Sequence, residues 1–172
     1  MANENLTNFE LVRQWMIDAG QEVPEKARIM EAEIGSLRRK LISEEYQETM
    51  MAMDEHDVHR FREGPDSDYT RKAAVNLAKE LADILVVVYG ALVAMGVDGD
   101  KVFRAVMDNN DRKLSNMMHR PDGKVIVPPE VKAELKQQVY NELRLIIYGL
   151  DIQPEVTETA SGDGENVQDT AE

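Results

Sequence analysis

The sequence predicts an all-α protein: a bundle of four core helices plus a C-terminal helix, assembled as an oligomer. Two observations carry the fold. Apolar residues recur at spacings of three and four through most of the first 150 positions, and strand-like alternation is confined to Lys124–Val127. The size agrees. At 172 residues, 42% hydrophobic and 31% charged, the chain suits one domain with a real core.

The elements follow in order. Asn5 or Thr7 can cap a first helix, with Leu6, Phe9, Val12 and Met16 at helical spacing and Gly20 as its stop. Pro24 opens a second, running to about Met53. Gly35 inside it costs about 1 kcal/mol relative to Ala. Residues 54–68, with mixed charge and a Gly-Pro, read as a long loop. A third helix runs from about Tyr69 to Met95 and stops at Gly96. Its second half, ILVVVYGALVAM, is apolar nearly all round, which predicts the central, most buried helix. Asp98 starts a fourth, with Val102, Phe103 and Val106 on one face. A loop containing Arg120-Pro121-Asp122-Gly123 follows. Pro128-Pro129 precedes a fifth helix, striped by Val131, Leu135, Val139, Leu143, Ile146 and Ile147. Residues 1–150 thus form the domain. Residues 151–172 hold seven carboxylates and no Lys or Arg, the composition of a disordered acidic tail.

Composition also excludes. Net charge is −13, from 20 basic and 33 acidic residues. That opposes nucleic-acid binding through a general field, so no nucleic-acid partner is expected. Setting the tail aside leaves 26 acidic and 20 basic residues. There is no cysteine, hence no disulfide and no thiolate metal site. The longest apolar run, Ile84 to Tyr89, is too short to span a bilayer. A cytoplasmic location without membrane partners is the expectation.

The second helix departs from its own packing pattern. Its stripe runs Ile34, Leu37, Leu41, and the next positions are Glu44, Glu45 and Glu48 in LISEEYQE. The third helix does the same: Ala73 and Leu77 are followed by Glu80, then Asp83, in KELADILVVVYG. Five inward carboxylates cannot all ionise uncompensated, because burying one unpaired charge costs several kcal/mol. Lys79 is the one cation close in sequence. Divalent cations are the other remedy. Hard oxygen donors without Cys or clustered His suit Mg²⁺, with Mn²⁺ as a substitute. Paired ions of this kind serve attack at phosphorus. One EExxE segment alone would be an ordinary solvated helix face; two clusters, each interrupting an apolar stripe, argue for a site.

These segments resemble the all-α nucleoside triphosphate pyrophosphohydrolases. That superfamily includes MazG-like proteins, phosphoribosyl-ATP pyrophosphohydrolase and all-α dUTPases. The signature reads Glu44-Glu45-Tyr46-Gln47-Glu48 and Glu80-Leu81-Ala82-Asp83. Likeness extends through VFRAVMDNNDRKL to Asp122-Gly123-Lys124, within a signature region of 34–124. The resemblance implies a Mg²⁺-dependent enzyme that cleaves a nucleoside triphosphate between the α and β phosphates. It implies Glu44, Glu48, Glu80 and Asp83 as metal ligands, with Glu45 a further ligand or the base that orients water. It also implies a homodimer or homotetramer with sites near subunit contacts.

The resemblance also suggests substrate contacts. Asn110 and Lys113 match residues placed near phosphates, against the alternative of a fraying helix end. Lys79 either reaches a phosphate or neutralises a ligand. Trp15, the single tryptophan, either stacks on a base or fills the core. Asn76 either meets a base edge or is a polar face residue. His56 and His59 are i, i+3 but lack a fuller ligand set. Tyr89 and the methionines at 50, 51 and 53 read as packing. A deoxynucleotide such as dGTP or dUTP is the leading substrate. Phosphoribosyl-ATP and a non-catalytic helical interaction module are the alternatives.

Overall fold

The computed structural model describes residues 5–114, 118–119 and 125–149. They form five helices and one two-stranded hairpin: α1 Asn8–Asp18, α2 Ala32–Glu63, α3 Asp68–Ala94, α4 Gly99–Leu114, β1 Met118–His119, β2 Val125–Ile126 and α5 Pro129–Tyr148. The predicted all-α class holds. Of the short antiparallel pair, Met118 opposite Ile126, β2 falls within Lys124–Val127, where the sequence showed alternation, whereas β1 lies in a segment that gave no such signal. The expected tail at 151–172, the Arg120–Gly123 loop and the Asp122-Gly123-Lys124 segment lie outside the described residues.

Thr7, not Asn5, caps α1 through a full capping box. The Thr7 hydroxyl accepts from the Glu10 N–H at 3.2 Å, and the Glu10 carboxylate accepts from the Thr7 N–H at 2.7 Å. Phe9, Val12 and Met16 then bury against Val93 of α3, with the Phe9 and Tyr89 rings edge-on at 6.1 Å. This cluster is the core that anchors α1.

Three expectations are corrected. The second helix begins at Ala32, not Pro24. Residues 21–31 are tied down by tertiary contacts instead: the Arg28 N–H donates to the Met95 carbonyl at 2.9 Å. Residues 54–63 are helical rather than loop, so α2 continues to Glu63. Mixed charge there is a solvated helix face, with Glu55 and His59 paired at i, i+4. No breaker occurs before Gly64-Pro65. The His59 ring also stacks on Tyr69 of α3 at 5.9 Å. Last, the apolar half of α3 is not buried all round within one chain: Leu85 is 53% exposed, and Leu81, Val86 and Val88 are exposed too.

α2 and α3 form a long helical hairpin. Ser67 caps α3, accepting from the Thr70 N–H at 3.1 Å, and the Thr70 hydroxyl closes the turn on the Gly64 carbonyl at 2.8 Å. α4 leaves α3 at 111°. Its buried line is Gly99, Ala105 and Asn109, whereas the expected Phe103 and Val106 face out. α5 packs on α4 through Leu135 and an Arg112–Glu142 pair at 2.8 Å. Among the described residues, no single helix is long and apolar enough to cross a membrane.

Candidate functional site

The hairpin sets the register of the carboxylates. Buried Thr49 on α2 donates its hydroxyl to the Glu80 carbonyl on α3 at 3.2 Å. That bond holds the turn bearing Glu45 and Glu48 beside the turn bearing Glu80. One oxygen from each of Glu45, Glu48 and Glu80 lies within 4.8 Å of the other two. Glu80 is buried, Glu45 half-buried and Glu48 exposed. The cluster is open on one side, as a site for a soluble ligand must be.

Lys79 completes it electrostatically. Its ammonium bonds Asp83 at 2.9 Å and Glu80 at 3.1 Å. Those contacts raise the Lys79 pKa, Asp83 contributing most. The Glu45 carboxyl moves up as well. Partial burial is the main cause, followed by the negative charges of Glu48, Asp83 and Glu80, with Lys79 opposing. One ammonium therefore does not neutralise four carboxylates. Three convergent oxygens on two rigid helices fit a hard divalent cation, and Mg²⁺ or Mn²⁺ match that donor set.

The sign of the pH effect follows. A carboxyl whose folded pKa is raised stabilises the fold below its unfolded value, ordinarily 4.5, and loses that contribution as pH rises through the folded value. A divalent cation held by these carboxylates would reverse this penalty at neutral pH, because it requires ionised ligands. About 5 mM Mg²⁺ should raise the melting midpoint relative to EDTA near pH 7.5. The gain should shrink toward pH 4.5, where protons compete. A midpoint indifferent to Mg²⁺, Mn²⁺ and EDTA across that range would refute the site.

The remaining sequence candidates divide. Asp83 reaches the cluster through Lys79. Glu44 does not enter it; it is exposed and pairs with Lys40 at 3.6 Å. Asn76 and Asn110 are exposed. Lys113 bonds the Asn110 side-chain oxygen at 2.8 Å. The neighbouring Asn109 is the buried one; with its amide turned so that the NH₂ faces the Leu135 carbonyl, the nitrogen donates to that carbonyl at 2.9 Å and the oxygen accepts from the Lys113 ammonium at 3.2 Å. This asparagine ties α4 to α5. Trp15 is 59% exposed, so its indole is not a core residue. His56 and His59 lie on α2 and pair with Asp57 and Glu55.

Sequence reasoning missed Thr49 and Arg38. Thr49 gave no signal, being one polar residue among many. Arg38 did give one: it stands four residues after Ile34 and four before Ile42, between two half-buried isoleucines on the same side of α2. It is 7% exposed.

Residues 10–110 match the family model described as phosphoribosyl-ATP pyrophosphohydrolase. No curated protein matches the chain.

Proposed function

The chain belongs to the phosphoribosyl-ATP pyrophosphohydrolase family, whose members hydrolyse nucleotide anhydride bonds, and we propose that it cleaves a deoxynucleoside or nucleoside triphosphate between the α and β phosphates. One observation carries the reading: Glu45, Glu48 and Glu80 converge from two helices to within 4.8 Å. In this proposal they hold Mg²⁺, with Asp83 beside them. The bound ion offsets phosphate charge and lowers the pKa of water. Glu45, the half-buried carboxyl with the raised pKa, is suited to accept a proton from water as well as to ligate. Lys79 restrains Asp83 and Glu80 and offers a cation to a phosphate. Trp15 presents an exposed indole able to stack on a base. Asn110 and Asn76, on exposed positions, and the half-buried Lys113 remain proposed substrate contacts.

A substrate screen tests this. The chain, Mg²⁺ and each common NTP and dNTP, dUTP included, should yield monophosphate and pyrophosphate for at least one, dGTP or dUTP leading. Phosphoribosyl-ATP belongs in the same screen, because the matched family model carries that description. Release of orthophosphate alone would contradict the assigned bond. No turnover of any substrate would favour the non-catalytic module.

We also propose a homodimer or homotetramer. Tyr46, Met50 and Met53 on α2 and Leu81, Leu85 and Val88 on α3 are all exposed, each set at i, i+4, i+7 spacing. Two continuous apolar stripes on one hairpin exceed what a soluble monomer ordinarily leaves bare. Leu85 and Asp83, two residues apart, point about 160° apart around α3, so this face turns away from the carboxylates. Leu85→Glu should lower the mass seen by light scattering while leaving the helical CD spectrum unchanged. A monomeric wild-type mass would sink the oligomer.

A further inference from the structure

The connector between α1 and α2 carries chemistry that the carboxylate cluster does not use. A cavity of about 130 Å³ lies between this connector and the first turns of α2. Gln21, Glu22, Arg28 and Arg38 give it polar walls, and Ile34 and Leu37 supply apolar ones. Arg38 enters from α2, wedged against Gly90, where any side chain would press on its Nη1 at 3.1 Å. Its Nη2 donates to Gln21 Oε1 at 2.6 Å and lies 3.8 Å from Met16 Sδ.

The guanidinium is not satisfied. Arg38 has no carboxylate partner among the described residues, and its buried Nε–H is unpaired. Burial alone pushes its pKa down. Arg28 pairs through Nη1 with Glu22 at 2.8 Å, yet its own buried Nε–H is unpaired too. Two arginines thus line one cavity whose own walls hold one carboxylate, Glu22, itself 61% exposed, while Glu31 acts on Arg28 electrostatically from beyond the lining. Unmade hydrogen bonds on buried charged donors are costly, and a ligand that accepts them recovers that cost.

We infer that this cavity is a phosphate site, in which the guanidinium groups of Arg28 and Arg38 grip one tetrahedral oxyanion. Arginine forks suit phosphate oxygens, and the cavity has the room for one such group. The site is separate from the metal cluster. Arg38 and Glu45 are seven residues apart on α2, about 10 Å along its axis. The anion is therefore not the phosphate chain at the carboxylates. It is free orthophosphate or a further phosphate at the far end of an extended nucleotide.

The test uses orthophosphate and the full chain in EDTA, with chloride holding ionic strength constant. About 10 mM phosphate should raise the melting midpoint by about 3 °C in the wild type. Glu48→Gln should show the same rise, because the metal site is not involved. Arg28→Gln and Arg38→Met should abolish it. Arg28 is part-exposed, so its variant keeps the test valid even if Arg38→Met fails to fold. With Mg²⁺ added, a tenfold rise in KM in Arg28→Gln, only for nucleotides bearing an additional phosphate, identifies the anion as part of substrate. An unchanged KM with the phosphate shift lost identifies the free ion. No wild-type shift, or an equal shift in both arginine variants, overturns the site, and neither result depends on turnover.

Discussion

Glu48→Gln should lower turnover by about 10²- to 10³-fold, with the helical CD spectrum preserved and the melting midpoint in EDTA no lower than wild type, since one of the repelling carboxylates is gone. The magnitude is that of removing one preorganised electrostatic contributor from a reacting centre. Glutamine keeps the shape and removes the charge. Glu48 is exposed, so its loss leaves no buried partner stranded. What it does remove is one of three oxygens lying within 4.8 Å of one another, and with it much of the affinity for a divalent ion. The Mg²⁺ concentration for half-maximal rate should therefore rise as well. Glu44→Gln is the matched control. Glu44 sits in the same motif but pairs outward with Lys40, so its variant should stay within about threefold of wild type. Pyrophosphate release across a Mg²⁺ titration measures both. An active Glu48→Gln, or a dead Glu44→Gln, would show that the ligand set drawn from the geometry is wrong.

That pair of variants also marks where the sequence was legible and where it was not. Two helices carrying carboxylates inside apolar stripes were readable, because period and residue type conflicted at Glu45, Glu48 and Glu80. The rotation of α2 was not. Following Ile34, Leu37 and Leu41 puts Glu44 and Glu45 inward alike. In the structure Leu37 is exposed, and the buried line is Arg38, Thr49 and Ala52. One position of rotation is 100°, enough to turn Glu44 to solvent and keep Glu45 within reach of Glu80. A buried arginine among leucines hides the true face from any count of apolar residues. The 54–63 segment failed for a related reason: solvated helix and loop share a polar composition, and what distinguishes the helix, such as the stacking of His59 on Tyr69 of α3, is a tertiary contact. The bare face of α3 was misread because an apolar run says that a surface leaves water, not whether the same chain covers it.

Gly96→Ala should be the most destabilising small substitution on this scaffold, costing about 4 kcal/mol and lowering the melting midpoint by about 10 °C. Two costs combine. Gly96 follows the α3 C-cap at φ +66°, a left-handed conformation that costs an L-residue about 1–2 kcal/mol. In addition, a Cβ there would overlap the Lys26 carbonyl and press on Pro24 at 3.1 Å. The obstacle is backbone, so no side-chain rotation relieves it. Gly20 separates the two terms. It has φ +70° with open space around its would-be Cβ, so Gly20→Ala should cost only the conformational part. Should the two variants melt together, close approach at Gly96 contributes nothing. The functional consequence is selective. Displacing Lys26 moves the connector that holds Arg28 by its bond to Met95, while the Thr49–Glu80 bond lies far down the hairpin. Gly96→Ala should therefore lose the phosphate response yet keep the Mg²⁺ response, because the carboxylates depend on α2 and α3 alone.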